Sequence, residues 1–404
     1  MSKPVFVPGD ILIPHGIDLS KWSVIACDQF SAQRDYWDRV NEYVGDTPST
    51  LRMIVPEAYL DTTDIVSESK KCQCVMEQYL KDNLFDTLEN SFVYVERTTG
   101  DGVVRRGIVG LIDLDEYEYK KGNTAQIRAS ENTVITRLPP RIAVRRSAPL
   151  ELPHAMMLID DPEQTVIEPL THITDTLSQV YDFTLNENGG SIKGWKVSGE
   201  VAQGVTDRVS LLGDRGVSIV IGDGNHSLAA AKECWNEIKS GLTEEERKFH
   251  PARYAMAELN NVYDSGIVFE AIHRIVMDVD TEKFISTFKC QLGSDTGCNL
   301  NYVSASSNGS VTVAFPSLGG MIDTVQRFLD TYVSDNGGTI DYIHDVSALC
   351  QLAEKPNCVG IIMPAMDKSD LFKTVITDGV FPKKSFSIGH ARDKRYYLEC
   401  RKIR

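Results

Sequence analysis

The stretch from Val217 to Lys232, which reads VSIVIGDGNHSLAAAK, indicates a strand, a tight turn and a helix. Residues 217–221 are rich in β-branched side chains, as is typical of a buried strand, and the alanine-rich run predicts a helix to about Gly241. Gly222 and Gly224 allow positive φ angles and close backbone approach. The first turn of such a helix leaves N–H groups without intrahelical partners. An anion is therefore the expected guest at this turn.

Asp223 and His226 add a carboxylate and a titratable imidazole to the same turn, which is unusual for a purely structural turn. The alternative is structural: Asn225 and Ser227 cap the helix, and Asp223 closes the turn. Both interpretations stay open at this point.

The composition describes an ordinary globular protein with an acidic surface. A chain of 404 residues is long for one core, so we expect two domains or one domain with a large appended lobe. The hydrophobic content of 42% and the charged content of 25% are unremarkable. The net charge of −15 argues against binding to nucleic acid or to an anionic membrane, because the long-range field repels phosphate. A phosphorylated small molecule would need local basic residues.

The chain begins Met1-Ser2-Lys3-Pro4 without an apolar signal segment, and no run approaches the roughly 18 apolar residues of a membrane helix, so we expect a cytoplasmic protein. The nine scattered cysteines predict reduced thiols. Cys72 and Cys74 form a C-x-C pair without a histidine-rich partner, so no zinc site is expected.

Polar residues also follow an apolar strand near the N-terminus, where Asp28 and Gln29 precede a predicted helix from about Gln33 to Tyr43. In open α/β sheets, functional groups collect at the carboxyl ends of strands. Asp28 and Gln29 could therefore face the same crevice as Asp223. Asp28 could equally be a turn residue.

A local basic cluster lies between Arg128 and Arg141, around the single carboxylate of Glu131. Pro139 and Pro140 are expected to prevent a helix from continuing there. Planar guanidinium groups suit phosphate oxygens, so Arg128 is a candidate phosphate ligand. The alternative is a solvated loop with weak surface ion pairs.

Two further basic pairs are candidates for phosphate or substrate binding. His273 and Arg274 are adjacent in an apolar strand and point to opposite faces, so at most one is expected to reach a pocket. They could instead form a buried, satisfied polar pair. Lys383 and Lys384 lie in an extended tail that could return to the pocket as a phosphate clamp, or they could be solvated.

The pattern changes after Asp280 to a helix, a polar connection and further α/β alternation. We therefore predict a catalytic core with insertions over residues 1–290. A C-terminal α/β lobe over residues 291–404 would follow, with a tail that could return to the core.

The candidate residues together are parts for phosphoryl transfer or phosphate-ester binding, in which positioning and charge neutralisation dominate. The chain lacks the Walker A, G-x-G-x-x-G, H-E-x-x-H and G-x-S-x-G motifs, so the usual nucleotide, zinc-protease and hydrolase interpretations have no signature here. The residues alone indicate a phosphate-handling α/β protein.

The turn at Asp223-Gly224-x-His226 resembles the phosphate-binding signature of the ParB/sulfiredoxin-like fold and is similar to the D-G-x-H element of free serine kinases on that fold. The whole chain also resembles a large bacterial family long catalogued as a domain of unknown function, one branch of which is known as pyrophosphate-dependent serine kinases. That family's pattern is matched by these residues: Ala26-Cys27-Asp28-Gln29-Phe30, Glu131-x-Thr133, Leu152-Pro153-His154, the D-G-x-H turn and Ile272-His273-Arg274.

The resemblance implies a mixed α/β fold with an elaborated ParB/sulfiredoxin-like core. It also implies phosphoryl transfer between a small donor, pyrophosphate or a nucleotide, and the hydroxyl of free L-serine. Glu131 would be the base, with Asp223 as the alternative. Gly224, Asn225 and His226 would hold phosphate oxygens. Other groups would neutralise the remaining charge, with Mg²⁺ as the expected cofactor: Arg128, Arg274 or the Lys383–Lys384 pair.

One departure from the resembled family concerns Ser227, because relatives commonly place an arginine directly after the histidine. A hydroxyl can donate one hydrogen bond but carries no charge. The phosphate clamp must then be completed from elsewhere, or the donor differs. Two alternatives to a kinase stay open: a nucleotide-binding regulatory module of the ParB type, and a phosphoester hydrolase.

Overall fold

The computed structural model describes residues 3–314, 317–382 and 384–404, with only the backbone of Arg215. Lys383, a predicted phosphate ligand, lies outside the described residues. The chain forms two compact units. Unit 1 comprises Met1–Val268 together with Gly389–Arg404, and unit 2 comprises Phe269–Ile388.

The described residues form 22 strands and 12 α-helices. The strands are β1 (Phe6–Val7), β2 (Gly9–Pro14), β3 (Val24–Ile25), β4 (Phe85–Thr98), β5 (Val104–Asp113), β6 (Tyr117–Glu118), β7 (Ile127–Ala129), β8 (Leu150–Glu151), β9 (Met156–Ile159), β10 (Ser178–Thr184), β11 (Ser191–Val197), β12 (Ile219–Asp223), β13 (Tyr254–Asn261), β14 (Phe269–Ala271), β15 (His273–Met277), β16 (Gly293–Ser304), β17 (Gly309–Val313), β18 (Thr339–Ile343), β19 (Cys358–Ile362), β20 (Phe386–Ile388), β21 (Tyr396–Tyr397) and β22 (Arg401–Lys402). The helices are α1 (Leu19–Trp22), α2 (Arg34–Val44), α3 (Ile65–Lys81), α4 (Leu138–Arg146), α5 (Glu168–Thr171), α6 (Gly199–Leu212), α7 (Asn225–Lys239), α8 (Glu244–Phe249), α9 (Thr281–Leu292), α10 (Leu318–Asn336), α11 (Val346–Ala353) and α12 (Lys368–Thr377).

Unit 1 is built on a mixed sheet, which in the described residues has eleven strands. Nine of them follow the order β10-β11-β4-β5-β13-β9-β12-β7-β6, while β1 pairs with β5 and β2 with β4. β4 and β5 form the hairpin that Thr99-Gly100-Asp101-Gly102 predicts. β12 runs parallel to β7 and antiparallel to β9, so it lies inside the sheet.

The stretch that indicates strand, turn and helix folds in that way. Residues 219–221 of β12 are fully buried, as a run of β-branched side chains between two neighbouring strands should be. Gly224 adopts φ +84° and ends the strand, and α7 begins at the next residue. The side chains of Ala229, Ala230 and Ala231 on α7 are buried. Because they are small, α7 can pack closely against its neighbours in unit 1.

The prolines at positions 139 and 140 lie at the start of a helix rather than at the end of one. Both lie in the first turn of α4, which starts at Leu138. Proline is tolerated there because its missing N–H has no intrahelical acceptor and its fixed φ suits a helix.

Unit 2 contains a five-stranded sheet in the order β17-β16-β19-β15-β18, within its described residues. Its core is formed by aromatic and aliphatic side chains from α9, α10 and the sheet, including Phe284, Phe288, Phe328 and Leu329. The predicted fold class, mixed α/β with an additional C-terminal α/β portion, is confirmed.

The boundary between the units differs from the division predicted after residue 290. Residues 273–277 form β15, which pairs with β18 and β19 of unit 2. The last residues of the chain belong to unit 1, because β21 pairs with β3 and β22 pairs with β8.

Buried ion pairs hold this C-terminal segment in unit 1. The Arg395 guanidinium forms salt bridges with Glu258 and Glu399, and all three side chains are at most 2% exposed. Arg97, also buried, donates to the carbonyl oxygens of Gly189, Arg392 and Lys394. Removing one partner of such a pair would leave a buried charge unpaired, which is strongly unfavourable. These contacts therefore hold the backbone around Lys394 in place.

We expect the stability of unit 1 to fall in acid through Glu258. Burial alone would raise the pKa of Glu258, but Arg395 and Arg105 hold that pKa below its usual value of 4.5. The folded state therefore gains stability above the pKa of the unfolded chain and loses it as pH falls through the lower folded pKa. In urea titrations between about pH 6 and pH 3, the unfolding free energy should fall for the wild type and less steeply for Glu258→Gln. Glu245→Gln, whose side chain is 72% exposed, is the matched control. Equal slopes for the wild type and Glu258→Gln would contradict this assignment.

Candidate functional site

Two parallel strands bring the predicted catalytic carboxylates to one edge of the sheet. β7 pairs with β12 in a register that places Ile127 beside Ile219 and Ala129 beside Ile221. Glu131 comes two residues after Ala129, and Asp223 comes two residues after Ile221. Because the carboxyl ends of parallel strands meet at the same edge, both carboxylates belong to the mouth of this sheet.

Asp223 is held by its own turn and by a cation from the C-terminal segment. Its Oδ1 accepts the Gly224 N–H at 2.9 Å, and its Oδ2 lies 3.2 Å from Lys394 Nζ. The Lys394 side chain is only 8% exposed and that of Asp223 is 22% exposed. A partly buried ion pair is screened less by salt than a surface pair. Sequence reasoning missed Lys394.

The N-terminus of α7 has no side-chain cap from the described residues, since its N-cap is Gly224. Asn225 Nδ2 donates to Ser130 Oγ at 3.3 Å. Asn225 Oδ1 and Thr133 Oγ1 are buried and have no hydrogen-bond partner among the described residues. Buried polar atoms are normally satisfied, so these two oxygens are suited to a ligand or a water molecule.

His226 joins α7 to the loop that follows β7. Its Nε2 accepts the Val134 N–H at 3.2 Å. A backbone N–H can only donate, so this contact assigns the ring proton to Nδ1 in the neutral imidazole. His226 thereby presents an N–H donor rather than a second acceptor.

Ser227 contacts a histidine instead of capping the helix. Its Oγ lies 3.1 Å from His154 Nε2, and His154 Nδ1 lies 2.8 Å from the Tyr397 hydroxyl. The His154 side chain is 6% exposed. The imidazole is thus fixed between a serine of α7 and a tyrosine of the C-terminal segment.

Asp28 adds a second carboxylate to the same cluster. Its Oδ1 accepts a hydrogen bond from Gln29 Nε2 at 3.0 Å, and its Oδ2 lies 3.9 Å from His154 Nε2. Burial alone would raise the pKa of Asp28, but His154, Gln29, Arg141 and Lys394 together hold that pKa below its usual value. Asp28 therefore stays ionised at neutral pH, within electrostatic reach of Lys394.

A pocket of about 150 Å³ opens beside Ser227 and His154. Most of its wall is aliphatic, and Cys27 and Tyr397 also line it. Burial raises the pKa of the Cys27 thiol to about 11, so this cysteine is protonated and a weak nucleophile at neutral pH. Four charged side chains also line the pocket: Glu57, Arg141, Arg145 and Glu151.

Arg128 has structural contacts of its own. Its Nε donates to the carbonyl oxygen of Ala125 at 2.8 Å, and its Nη2 donates to that of Gly216 at 3.3 Å. Desolvation lowers the pKa of this guanidinium. These contacts stabilise the loops that enter β7 and β12, while phosphate binding by Arg128 stays a prediction.

The predicted basic residues of unit 2 are also engaged locally. His273 Nδ1 accepts the Met363 N–H at 3.1 Å. Arg274, fully buried, donates to Gln326 Oε1 at 3.3 Å and to the carbonyl oxygens of Ile272 and Lys384. The alternative of a buried, satisfied polar pair thus has contacts to support it.

Replacing Gly224 with alanine is expected to destabilise the site. A Cβ on Gly224 would lie 2.8 Å from Ala155 Cα, and φ at this position is +84°. Gly102→Ala is the matched control, because Gly102 has φ +86° with open space around it. We expect Gly224→Ala to cost about 2–4 kcal/mol of unfolding free energy and Gly102→Ala about 1–2 kcal/mol. Urea denaturation measures both, and equal losses would show that Ala155 yields to the new methyl group.

The described residues include neither a membrane-spanning helix nor a cluster of metal ligands. No helix there is both long and apolar enough to cross a bilayer. The same residues contain no group of three or more His, Cys, Asp or Glu side chains placed to hold a metal ion.

A family model described as protein of unknown function, DUF1015, matches residues 13–332. The chain belongs to this family. The resemblance to a domain of unknown function is thereby confirmed. No curated protein matches this DUF1015 member.

Solved structures similar to this DUF1015 protein include a free serine kinase in complex with AMP, at 11% identity and a TM-score of 0.40, covering 72% of this chain and 91% of that one. SbnI with a C-terminal truncation from Staphylococcus aureus is similar at 8% identity and a TM-score of 0.37, and the match covers 70% of this chain and 83% of that one. A conserved hypothetical protein from Pyrococcus furiosus is similar at 12% identity and a TM-score of 0.34, and the match covers 71% of this chain and 90% of that one.

Proposed function

We propose that the protein is a phosphotransferase that moves a phosphoryl group between pyrophosphate or a nucleotide and the hydroxyl of free L-serine, giving O-phosphoserine. The resemblance of the Asp223-Gly224-x-His226 turn to the element of free serine kinases supports the activity. The observation that carries the proposal is the Asp223–Lys394 ion pair beside the uncapped N-terminus of α7. A cation and a helix N-terminus together suit a phosphate group.

The donor phosphate would be bound by the first turn of α7. The N–H groups of Asn225 and His226 have no intrahelical acceptor, and the macrodipole favours negative charge at that end. His226 Nδ1–H and the Lys394 ammonium group would contribute further donors. In phosphoryl transfer, positioning and charge neutralisation of this kind do most of the work.

The serine acceptor must lose its hydroxyl proton as it attacks, and we assign Glu131 as the base. General base catalysis contributes about 10²–10⁴-fold. Asp223, the alternative base, already accepts the Gly224 N–H and pairs with Lys394. The ionised Asp28, oriented by Gln29, would accept a hydrogen bond from the serine ammonium group.

Mg²⁺ is the proposed cofactor, and it would neutralise phosphate charge during transfer. The ion is commonly bound through one or two carboxylates plus substrate phosphates, so a preformed cage of side chains is not required. The Asp223 carboxylate and Asn225 Oδ1, which has no hydrogen-bond partner in the part of the chain that the structure describes, are oxygen ligands of the kind Mg²⁺ prefers. These residues would hold it together with the donor.

The test is to incubate the purified protein with L-serine, Mg²⁺ and each of pyrophosphate, ADP and ATP, and to measure O-phosphoserine. Serine-dependent product with one donor is expected. Phosphate release that does not depend on serine would indicate a hydrolase instead. Tight nucleotide binding without turnover would indicate a regulatory module, and no product in either direction would overturn the proposal.

A further inference from the structure

We propose that Ser227 is itself phosphorylated in the reaction, so that the phosphoryl group passes from the donor to Ser227 and then to the acceptor hydroxyl. The inference rests on the proposed function for the identity of donor and acceptor. It gives a chemical role to the residue that replaces the arginine commonly found in the resembled family.

The contacts of Ser227 are those of an activated nucleophile. Its hydroxyl lies 3.1 Å from His154 Nε2, within hydrogen-bond reach of a base. The Tyr397 hydroxyl, 2.8 Å from His154 Nδ1, orients the imidazole. A nucleophile, a base and a third group that holds the base are the general signature of covalent catalysis.

The charges around His154 suit a ring that becomes an imidazolium. Asp28 Oδ2 lies 3.9 Å from Nε2, and this carboxylate stays ionised at neutral pH. The negative charge thus lies beside the ring atom that would receive the Ser227 proton. His154 can therefore take the Ser227 proton as the new bond forms.

The position of Ser227 suits a phosphoryl acceptor. It is the third residue of α7, whose 15 residues begin at the uncapped turn. Lys394, the partner of Asp223, also influences Asp28 electrostatically, so the cation and the Ser227–His154 pair belong to one cluster.

The two half-reactions balance. In the first, Ser227 Oγ attacks the terminal phosphorus of the donor, the bridging P–O bond breaks, and the Ser227 proton moves to His154. The leaving group is phosphate when pyrophosphate is the donor, and it is the nucleotide with one phosphate fewer when a nucleotide is the donor. In the second, the acceptor oxygen attacks the phosphorus, its proton goes to Glu131, and Ser227 Oγ recovers its proton from His154.

The experiment uses the full-length protein with Mg²⁺ and γ-³²P-ATP, β-³²P-ADP or ³²P-pyrophosphate in the absence of serine. After an acid quench, the label is located by peptide mass spectrometry. We expect close to one phosphate per chain, on the peptide that contains Ser227. Addition of L-serine should discharge the label into O-phosphoserine.

Variants test the site of labelling directly, because the amount of label on the protein is measured as well as its activity. Ser227→Ala and His154→Gln should lose the label by at least 10-fold, while Tyr397→Phe should slow labelling and shift its pH profile by disturbing the imidazole. Ser240→Ala, at the opposite end of α7, is the matched control and should label like the wild type. Circular dichroism confirms that each variant is folded.

The outcomes separate the two proposals. O-phosphoserine formed by the wild type without label on Ser227 would overturn the covalent intermediate and leave the kinase standing. Label on Ser227 that serine does not discharge would support the intermediate and overturn serine as the acceptor. Neither label nor product with any of the three donors would overturn both.

Discussion

Replacement of Lys394 by methionine is expected to lower kcat/KM for phosphoryl transfer by about 10²–10³-fold, the range seen when one preorganised charge-stabilising donor is removed. Lys394 Nζ is 3.2 Å from Asp223 Oδ2, and the Lys394 side chain is only 8% exposed. Cations from the solvent would therefore not readily take the place of the missing ammonium group. Without the ammonium group, the Asp223 carboxylate would repel the incoming phosphate. The loss should appear in both donor binding and turnover.

The measurement is steady-state formation of O-phosphoserine, with donor affinity followed by calorimetry. Lys193→Met is the matched control, because Lys193 also pairs with an aspartate, at 3.5 Å from Asp182, but both side chains are 47% exposed. That surface pair should matter little. Wild-type kcat/KM in folded Lys394→Met would remove Lys394 from the site.

Glu131→Gln is expected to lower kcat by about 10²–10⁴-fold with little change in KM, because a base acts on the proton that moves in the transition state. The amide keeps the size and hydrogen bonding of the side chain but cannot take a proton. The pH dependence of kcat should lose its acidic limb in the variant.

The comparison that decides the base is Glu131→Gln against Asp223→Asn, with the exposed Glu89→Gln as the control. If Asp223→Asn abolishes the acidic limb and Glu131→Gln does not, Asp223 is the base and Glu131 has another role. If neither variant alters kcat, the mouth of the β7–β12 pair is not the site of proton transfer.

The local part of this architecture could be predicted from the sequence. The β-branched run, the glycine turn and the alanines specify β12, the left-handed Gly224 and α7 within a few residues of one another. The β4–β5 hairpin follows from its turn residues in the same way. Such signals are local, because side-chain pattern and backbone preference act over single elements.

The long-range part could not be predicted. Lys394 and Tyr397 reach the site because buried charges such as Arg395 and Glu258 hold the C-terminal segment in unit 1. The sequence around Asp223 contains no signal that its ion-pair partner is Lys394, which lies far along the chain. The backbone contacts of Arg128 could not be predicted either, because composition does not show that its guanidinium group donates to the carbonyl oxygens of Ala125 and Gly216.

The most direct measurement is a crystal structure of the protein with O-phosphoserine. The account predicts that the phosphate group lies at the N-terminus of α7, within about 3 Å of the Asn225 or His226 N–H and of Lys394 Nζ, with the serine hydroxyl oxygen facing Glu131. A phosphate bound elsewhere, on Arg128 or on Arg274 of unit 2, with α7 unoccupied, would contradict it.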